Sequence, residues 1–560
     1  MPGDRLSTLD ESFLRLESGS AHMHVAALMI FKGKAPDHDE FLDLVEGRLH
    51  LVPRYRQRLA SVPFGQGRPK WVDDPHLNLR YHVRASALPA PGSEDELRAL
   101  AGRVFSQQLD RDKPLWELWL VHGVEGGRFA VMSKTLHALV DGIVGVDILT
   151  VLFDAEPKPD PDQASEDGEF TPRPLPSGAQ LLGEALLERA VTPAKALGTA
   201  ASVARSPRRV AEAAVGTLGG LASMATSSLR PGSDTPYNQA IGPHRRFAWV
   251  RCSLGEVKQV KNALGCIVND VMLATVAGAL RRHLARRGVA TDGLELKAMV
   301  PVSVRGEGSA GGNEVTAVMA RLPVAESDAR RRLQAVQAEM DGLKEGGQAV
   351  GARALTELSG FGAPTVMSQA ARLGAQQRVF NLVVTNVPGP QMPLYVLGRQ
   401  LEDVFPLVPL THRQALGVAI MSYNGAINFG LNADYDAIPD LDELAEDVRA
   451  SLEELSAVAS GDADAKGSRR GAGKARARGS SKKASTRASG GSKGRAKGAS
   501  KGRAKSASRA KSSANGAARG KSAAATGGSR GRSGGGGGSA RAKADGRKSG
   551  SSRAKSGSSS

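Results

Sequence analysis

The chain has 560 residues, with 75 Lys and Arg against 57 Asp and Glu, a formal net charge of +18 and a sequence pI near 10.0. The excess is local: residues 461–560 hold about 27 basic and 3 acidic residues, which leaves residues 1–460 mildly acidic, at roughly −6. Two cysteines, Cys252 and Cys266, make no disulfide framework and point to a reducing compartment. The first residues lack the apolar core of a signal peptide, and no run approaches the ~20 apolar residues that span a bilayer. A cytoplasmic protein with at most peripheral membrane contact is expected.

In chain order, Ser7 to Leu16 reads as a polar helical start and Met23 to Phe31 as a strand. Asp37 to Leu51 has helical spacing, with Phe41, Leu42, Leu44, Val45 and Leu49 on one side. A basic segment (Arg54, Arg56, Arg58), a turn at Gly65 to Pro69 and an extended Lys70-Trp71-Val72 follow. Leu77 to Val83 reads as a short strand and Glu94 to Leu109 as a helix. Pro114 to Val121 and Arg128 to Met132 read as a hairpin joined at Gly123–Gly127, and Ile143 to Phe153 as an apolar helix. Residues 1–153 thus make a first α/β domain.

Residues 154–180 are rich in Pro, Asp, Glu and Ser and read as an exposed linker, which with the segment that follows runs to 240. Residues 178–226 suggest two or three helices broken at Pro193 and Pro207, packing the domains together or lying on a membrane surface. A second α/β domain is expected over 241–457. It contains strands at Phe247 to Val250, Leu296 to Val304, Val315 to Leu322 and Val379 to Asn386, and a hairpin of Gln414 to Tyr423 with Ala426 to Asp434 turning at Asn424-Gly425. Its helices are Val271 to Arg287, opened by Asn269-Asp270 and stopped by Gly288, then Ser327 to Leu343 with Ser327 as N-cap, then Leu441 to Leu455.

From about residue 461, Gly, Ser, Ala, Lys and Arg dominate, no aromatic residue occurs, and Arg-Ala-Lys recurs at Arg495, Arg503, Arg509, Arg541 and Arg553. Such a tail has too little apolar surface to offset ordering entropy and is expected to be disordered. It looks like the C-terminal arm of a linker histone. Counterion release makes DNA or RNA a candidate partner, and anionic membrane or lipid-droplet surfaces are another. A purely solubilising tail stands beside them.

The stretch that carries chemistry is Ser133 to Gly142. There His137 falls where a strand ends, with Asp141 and Gly142 opening the next element. Around it lie Met23-His24-Val25, Tyr81-His82-Val83-Arg84, Pro114-Leu115-Trp116-Glu117, Ile241 to Arg246, Asn269-Asp270, Val300 to Arg305, Gly312-Asn313-Glu314 and Thr385 to Pro390. In this order and at this spacing they resemble the bacterial wax ester synthase/diacylglycerol acyltransferase family, over roughly residues 7–457. The resemblance implies two chloramphenicol-acetyltransferase-like α/β domains joined by a helical linker, with the basic tail appended. In two places the chain departs from that family: Leu136 stands where the motif has a first His, and Thr8-Leu9-Asp10 where Pro-Leu-Asp is usual.

The implied activity moves a fatty acyl group from acyl-CoA to diacylglycerol or a long-chain alcohol, with acyl-CoA as substrate and no bound cofactor. His137 is the implied general base, since an imidazole titrates near neutral pH. Asp141 reads as an N-cap that holds the loop, Arg305 as its implied partner, and Gly142 as a position that a side chain would obstruct. Asn269 and Asp270 serve as helix caps or as active-site support, and Asn269 with Thr385-Asn386 as candidate oxyanion donors. Matches to Gly-x-Ser-x-Gly, such as Gly498 to Gly502, all fall in the tail, where no nucleophile elbow forms. The eleven His are scattered, and no metal site is expected. Two rival functions stand beside the first: acyl transfer from carrier-bound donors or to polyketide alcohols, and a non-catalytic tether between lipid bodies and nucleic acid.

Overall fold

The computed structural model of the chain describes residues 5–139, 152–158, 170–188, 232–304, 314–345 and 380–461. Two six-stranded sheets organise them. The N-terminal half supplies α1 (Thr8–Leu16), β1 (His24–Lys32), α2 (His38–Arg48), β2 (Gln57–Ala60), β3 (Lys70–Asp73), α3 (Leu79–His82), β4 (Val83–Ala87), α4 (Glu94–Phe105), β5 (Trp116–Val124) and β6 (Arg128–Leu136). The C-terminal half supplies β7 (Arg245–Ser253), α5 (Leu254–Leu264), α6 (Val268–Arg286), β8 (Leu296–Val304), β9 (Glu314–Leu322), α7 (Ala329–Glu345), β10 (Leu382–Pro388), β11 (Tyr395–Val396), β12 (Arg399–Leu407), β13 (Leu416–Tyr423) and β14 (Ala426–Asp434). A last helix occupies residues 441–461.

The first sheet runs β11-β12-β1-β6-β5-β4. At its centre β6 is buried on both faces. Phe129 and Val131 join one core with Met29, Phe31 and Trp116, while Ala130 and Met132 join another with Leu28, Leu97 and Phe105. Such double burial explains a continuous apolar run without alternation. The hairpin of β5 and β6 closes at Gly126 and Gly127, both at positive φ, where glycine adds no steric cost.

The second sheet runs β7-β14-β13-β10-β8-β9, with β10 parallel to both β8 and β13. Its core is built on α6, whose Val271 to Leu280 are all buried. That burial explains the helix's weak amphipathicity. No single described helix is long and apolar enough to cross a membrane. Only α5 and α6 taken together pass that test, and they are bent by 102° at their junction.

β12 belongs in sequence to the second half yet pairs antiparallel with β1 in the first sheet, Ala26 opposite Leu407 through Phe31 opposite Leu401. Residues 241–457 thus supply every strand of the second sheet and also lend β11 and β12 to the first. The junction is tight: a Cβ added at Gly430 on β14 would lie 1.8 Å from the carbonyl oxygen of Pro406 on β12. α4 closes the same junction from below, packing Leu100, Ala101 and Phe105 with Phe247 and Trp249 of β7 and Phe405 of β12.

Three local expectations are corrected, and one helix is added. Leu77 to Val83 is no strand: Leu79–His82 makes one helical turn, and the strand begins at Val83. The turn inserts His82 against the Trp116 ring, centroids 4.7 Å apart, with its Nδ1 2.8 Å from the Trp116 carbonyl oxygen. The exposed linker starts one residue later than expected, with residues 155–158 exposed. Asp154 is buried, 2.5 Å from Arg48, and its backbone bridges to Tyr395. Asp328 rather than Ser327 caps α7, accepting the Arg331 N–H at 2.9 Å. α5 was not expected, although Ser253 caps it and Gly265 ends it in the left-handed region.

Residues 178–188 are helical and pack Leu181 and Ala185 on Val62. The other expected linker helices, the helix Ile143 to Phe153 up to residue 151, and the tail lie outside the described residues.

Gly430→Val is expected to destabilise the protein by about 2–3 kcal/mol or more, because the clash is with backbone. The measurement is the urea midpoint, and an unchanged midpoint would contradict the close crossing of β12 and β14.

Candidate active site

β6 ends at Leu136, whose N–H is donated to the Leu115 carbonyl oxygen at 2.9 Å. The chain then makes one 3-10 turn, His137–Leu139. His137 donates its backbone N–H to the Met23 carbonyl oxygen at 3.1 Å, so its position is set by extension of the β1–β6 ladder. Its ring lies against that of Phe13 on α1, with centroids 4.2 Å apart and planes at 34°. Nδ1 is buried and has no hydrogen-bond partner among the described residues. Burial lowers the imidazole pKa below its ordinary 6.5, and His137's own backbone carbonyl works weakly in the opposite direction. The lowered pKa favours the neutral ring, the form able to accept a proton.

Leu136 is buried in the first-sheet core, opposite His24 in register. Asp141, Gly142 and Arg305 lie outside the described residues, as do Gly312 and Asn313. Asn269 and Asn386 are brought together: the Asn386 side-chain amide donates to Asn269 Oδ1 at 3.2 Å, joining the first turn of α6 to β10. Asp270 is buried and accepts the Ile267 N–H at 3.1 Å, which makes it a cap of α6. Thr385 precedes Asn386 on β10. Leu115 and Trp116 are core, and the Trp116 indole N–H is donated to the Tyr55 carbonyl oxygen at 2.8 Å. Among the described residues no group of three or more His, Cys, Asp or Glu is arranged to hold a metal ion.

A polar network that sequence reasoning missed lies on the strand leading to His137. Lys134 is fully buried, 3.1 Å from Glu117 Oε2, and donates to the carbonyl oxygens of Val104 and Gln107 at 3.2 and 2.9 Å. Glu117 also meets Arg84 at 3.1 Å and accepts the Trp119 indole N–H at 3.2 Å. Burial, then the Glu117 charge in the opposite sense, governs the Lys134 ammonium, whose pKa falls. Nearby, His24 is held well below 6.5 by burial and by the Lys134 charge. Lys134 and Glu117 are cross-strand register partners, so a Lys opposite a Glu in an otherwise apolar hairpin was the available signal.

The Ile241 to Arg246 motif fastens the second half to this region. The Arg245 guanidinium is buried, donates to the carbonyl oxygens of Gly242 and His244 at 2.7 and 2.9 Å and to that of Ser20, and is lowered to about 10 by burial. Ser20 lies just ahead of Met23, the residue that holds His137.

Comparison with known proteins decides the family. Residues 6–272 match the wax ester synthase/diacylglycerol acyltransferase catalytic domain, and residues 311–456 match the WS/DGAT C-terminal domain. The chain belongs to the wax ester synthase/diacylglycerol acyltransferase family. A Mycobacterium tuberculosis protein named as a diacylglycerol O-acyltransferase is 32% identical over 461 residues, covering 81% of this chain and 96% of its own. A Mycobacterium bovis protein of the same name is 34% identical over 463 residues, covering 81% and 98%. Among solved structures, the wax ester synthase/diacylglycerol acyltransferase of Marinobacter aquaeolei VT8 matches at 27% identity with a TM-score of 0.58, over 81% of this chain and all of that one. The starter condensation domain of rhizomide synthetase shares the fold, with a TM-score of 0.51 at 13% identity. The WS/DGAT match of this chain ends at residue 456, ahead of the basic tail.

Glu117→Ala is expected to cost about 3–5 kcal/mol, because it leaves Lys134 charged, buried and unpaired. In urea denaturation the double variant Glu117→Ala, Lys134→Met should recover most of that loss. A single variant near wild-type stability would contradict the pairing.

Proposed function

We propose that this WS/DGAT protein esterifies diacylglycerol, a long-chain alcohol or both with the acyl group of acyl-CoA, and that His137 is its general base. The observation that carries the reading is the half-buried imidazole fixed at the end of β6 in a chain of this family. With Nδ1 enclosed, the other ring nitrogen takes the hydroxyl proton of the acceptor as its oxygen attacks the thioester carbonyl. The new C–O bond forms, the C–S bond breaks, and the departing thiolate recovers the proton from the imidazolium. The thioester is already activated, so no acyl-enzyme and no bound cofactor are required.

Asp141 and Gly142 shape the loop after His137 in this reading, with Arg305 as the partner of Asp141. Asn269, Asp270 and Asn386 support the site from the second half, through the amide pair and the α6 cap. Acceptor and product are lipids, which supports work at the surface of the cytoplasmic membrane or of lipid droplets. Purified protein with labelled palmitoyl-CoA and diacylglycerol or hexadecanol tests the base: His137→Gln should lose about 10²–10⁴-fold in kcat/KM. Activity at the wild-type level in that variant would remove His137 from the chemistry.

The tail suggests a second capacity. The relatives are matched over 96–98% of their length without it, and it carries no aromatic residue for stacking on single strands. Duplex DNA, bound through counterion release, is the partner this favours. Deleting 461–560 should leave acyl transfer intact and abolish salt-sensitive retardation of duplex DNA. Absence of retardation by the full-length chain at low salt would end this reading.

A further inference from the structure

The segment Thr8-Leu9-Asp10, where the chain departs from its family's usual Pro-Leu-Asp, opens a helix that the proposed chemistry does not use. That helix, α1, is clamped at both ends. Ser7 Oγ accepts the Asp10 N–H at 3.1 Å, Leu6 is buried with its N–H donated to the Pro69 carbonyl oxygen, and Arg111 binds the Leu14 carbonyl oxygen and Glu17 at the far end. Leu14 enters the first-sheet core. What α1 presents to the turn at His137 is the ring of Phe13, half-buried and packed on that same core.

We propose that Phe13 is the positioning residue for His137: its ring covers one face of the imidazole and sets the imidazole plane, so that the nitrogen opposite Nδ1 is held toward the acceptor hydroxyl. Two restraints then act on this one side chain, whose Nδ1 edge is buried: the backbone bond to Met23 places its Cα, and Phe13 fixes the rotation of the ring. Such orientation is worth far more than its contact area, because a misplaced base loses the near-attack geometry. Asp10, Glu11 and Arg15 on α1, His22 just ahead of β1, His24 and Lys32 on β1, and Arg128 and Lys134 on β6 are the titratable groups on the neighbouring elements. None of them is among the causes of the His137 shift, which burial dominates.

The proposal rests on His137 as the base, so the experiment separates the two. In full-length protein labelled with [13Cε1]-His, the His137 signal is assigned by its loss in His137→Gln and titrated in wild type, Phe13→Ala and Phe13→Leu. The acylation kinetics of all four are measured alongside. Phe13→Ala should raise the His137 pKa toward 6.5 and lower kcat roughly tenfold or more, with KM for acyl-CoA unchanged. Phe13→Leu keeps the apolar cover without the flat face, so it should restore the pKa and only part of kcat. If Phe13→Ala does not fold, the kcat of Phe13→Leu decides: several-fold below wild type at unchanged KM supports the proposal, and wild-type kcat overturns it. A wild-type pKa and kcat in folded Phe13→Ala also overturn it while leaving the base in place, provided His137→Gln is inactive. Full activity in His137→Gln instead removes the base reading itself.

Discussion

One backbone hydrogen bond, from the His137 N–H to the Met23 carbonyl oxygen, decides where a base stands in this protein. It is the last rung of the β1–β6 ladder, and everything that orders β1 orders His137 through it. β1 lies between β6 and β12, and β12 arrives from the other half of the chain. The segment ahead of β1 is gripped through Ser20 by Arg245, again from the other half. The position of the imidazole therefore depends on both halves being assembled, although every atom of the residue belongs to the first.

The same assembly explains the buried charges. A Lys at the centre of a sheet is expensive unless its ammonium is paired and its remaining protons are bonded. Lys134 meets both conditions, with Glu117 on the neighbouring strand and two carbonyl oxygens at the end of α4. That ties α4 to β6 three residues before His137, while α4 also packs on β7 and β12. Rigid packing on one side and polar ties on the other leave little freedom at the strand end.

Some of this was legible from residues alone. The hairpin of β5 and β6 shows in two apolar runs around Gly126-Gly127, and that of β13 and β14 in Asn424-Gly425, because those turns need positive φ. His137 is visible as the residue that ends the first hairpin. β12 is not visible: Pro406 within it, Pro393 and Pro409 beside it and the acidic Glu402-Asp403 all argue against an inner strand, and only its pairing with β1 overrides them. Asp154 looks like linker until Arg48, 106 residues earlier, buries it. The cover that Phe13 places on His137 comes from a contact 124 positions apart in the chain, which no local pattern encodes.

The pH dependence of acylation tests the account most directly. If His137, kept neutral by burial, is the base, kcat/KM for the wild-type protein should fall along a single acid limb below pH 6.5 and stay level above it through pH 8. The sign follows from the lowered pKa: the midpoint of protonation lies below the ordinary 6.5, so activity is lost on the acid side. A rate that keeps climbing through pH 8, or an acid limb centred above 7, would contradict a neutral buried imidazole as the group that takes the proton.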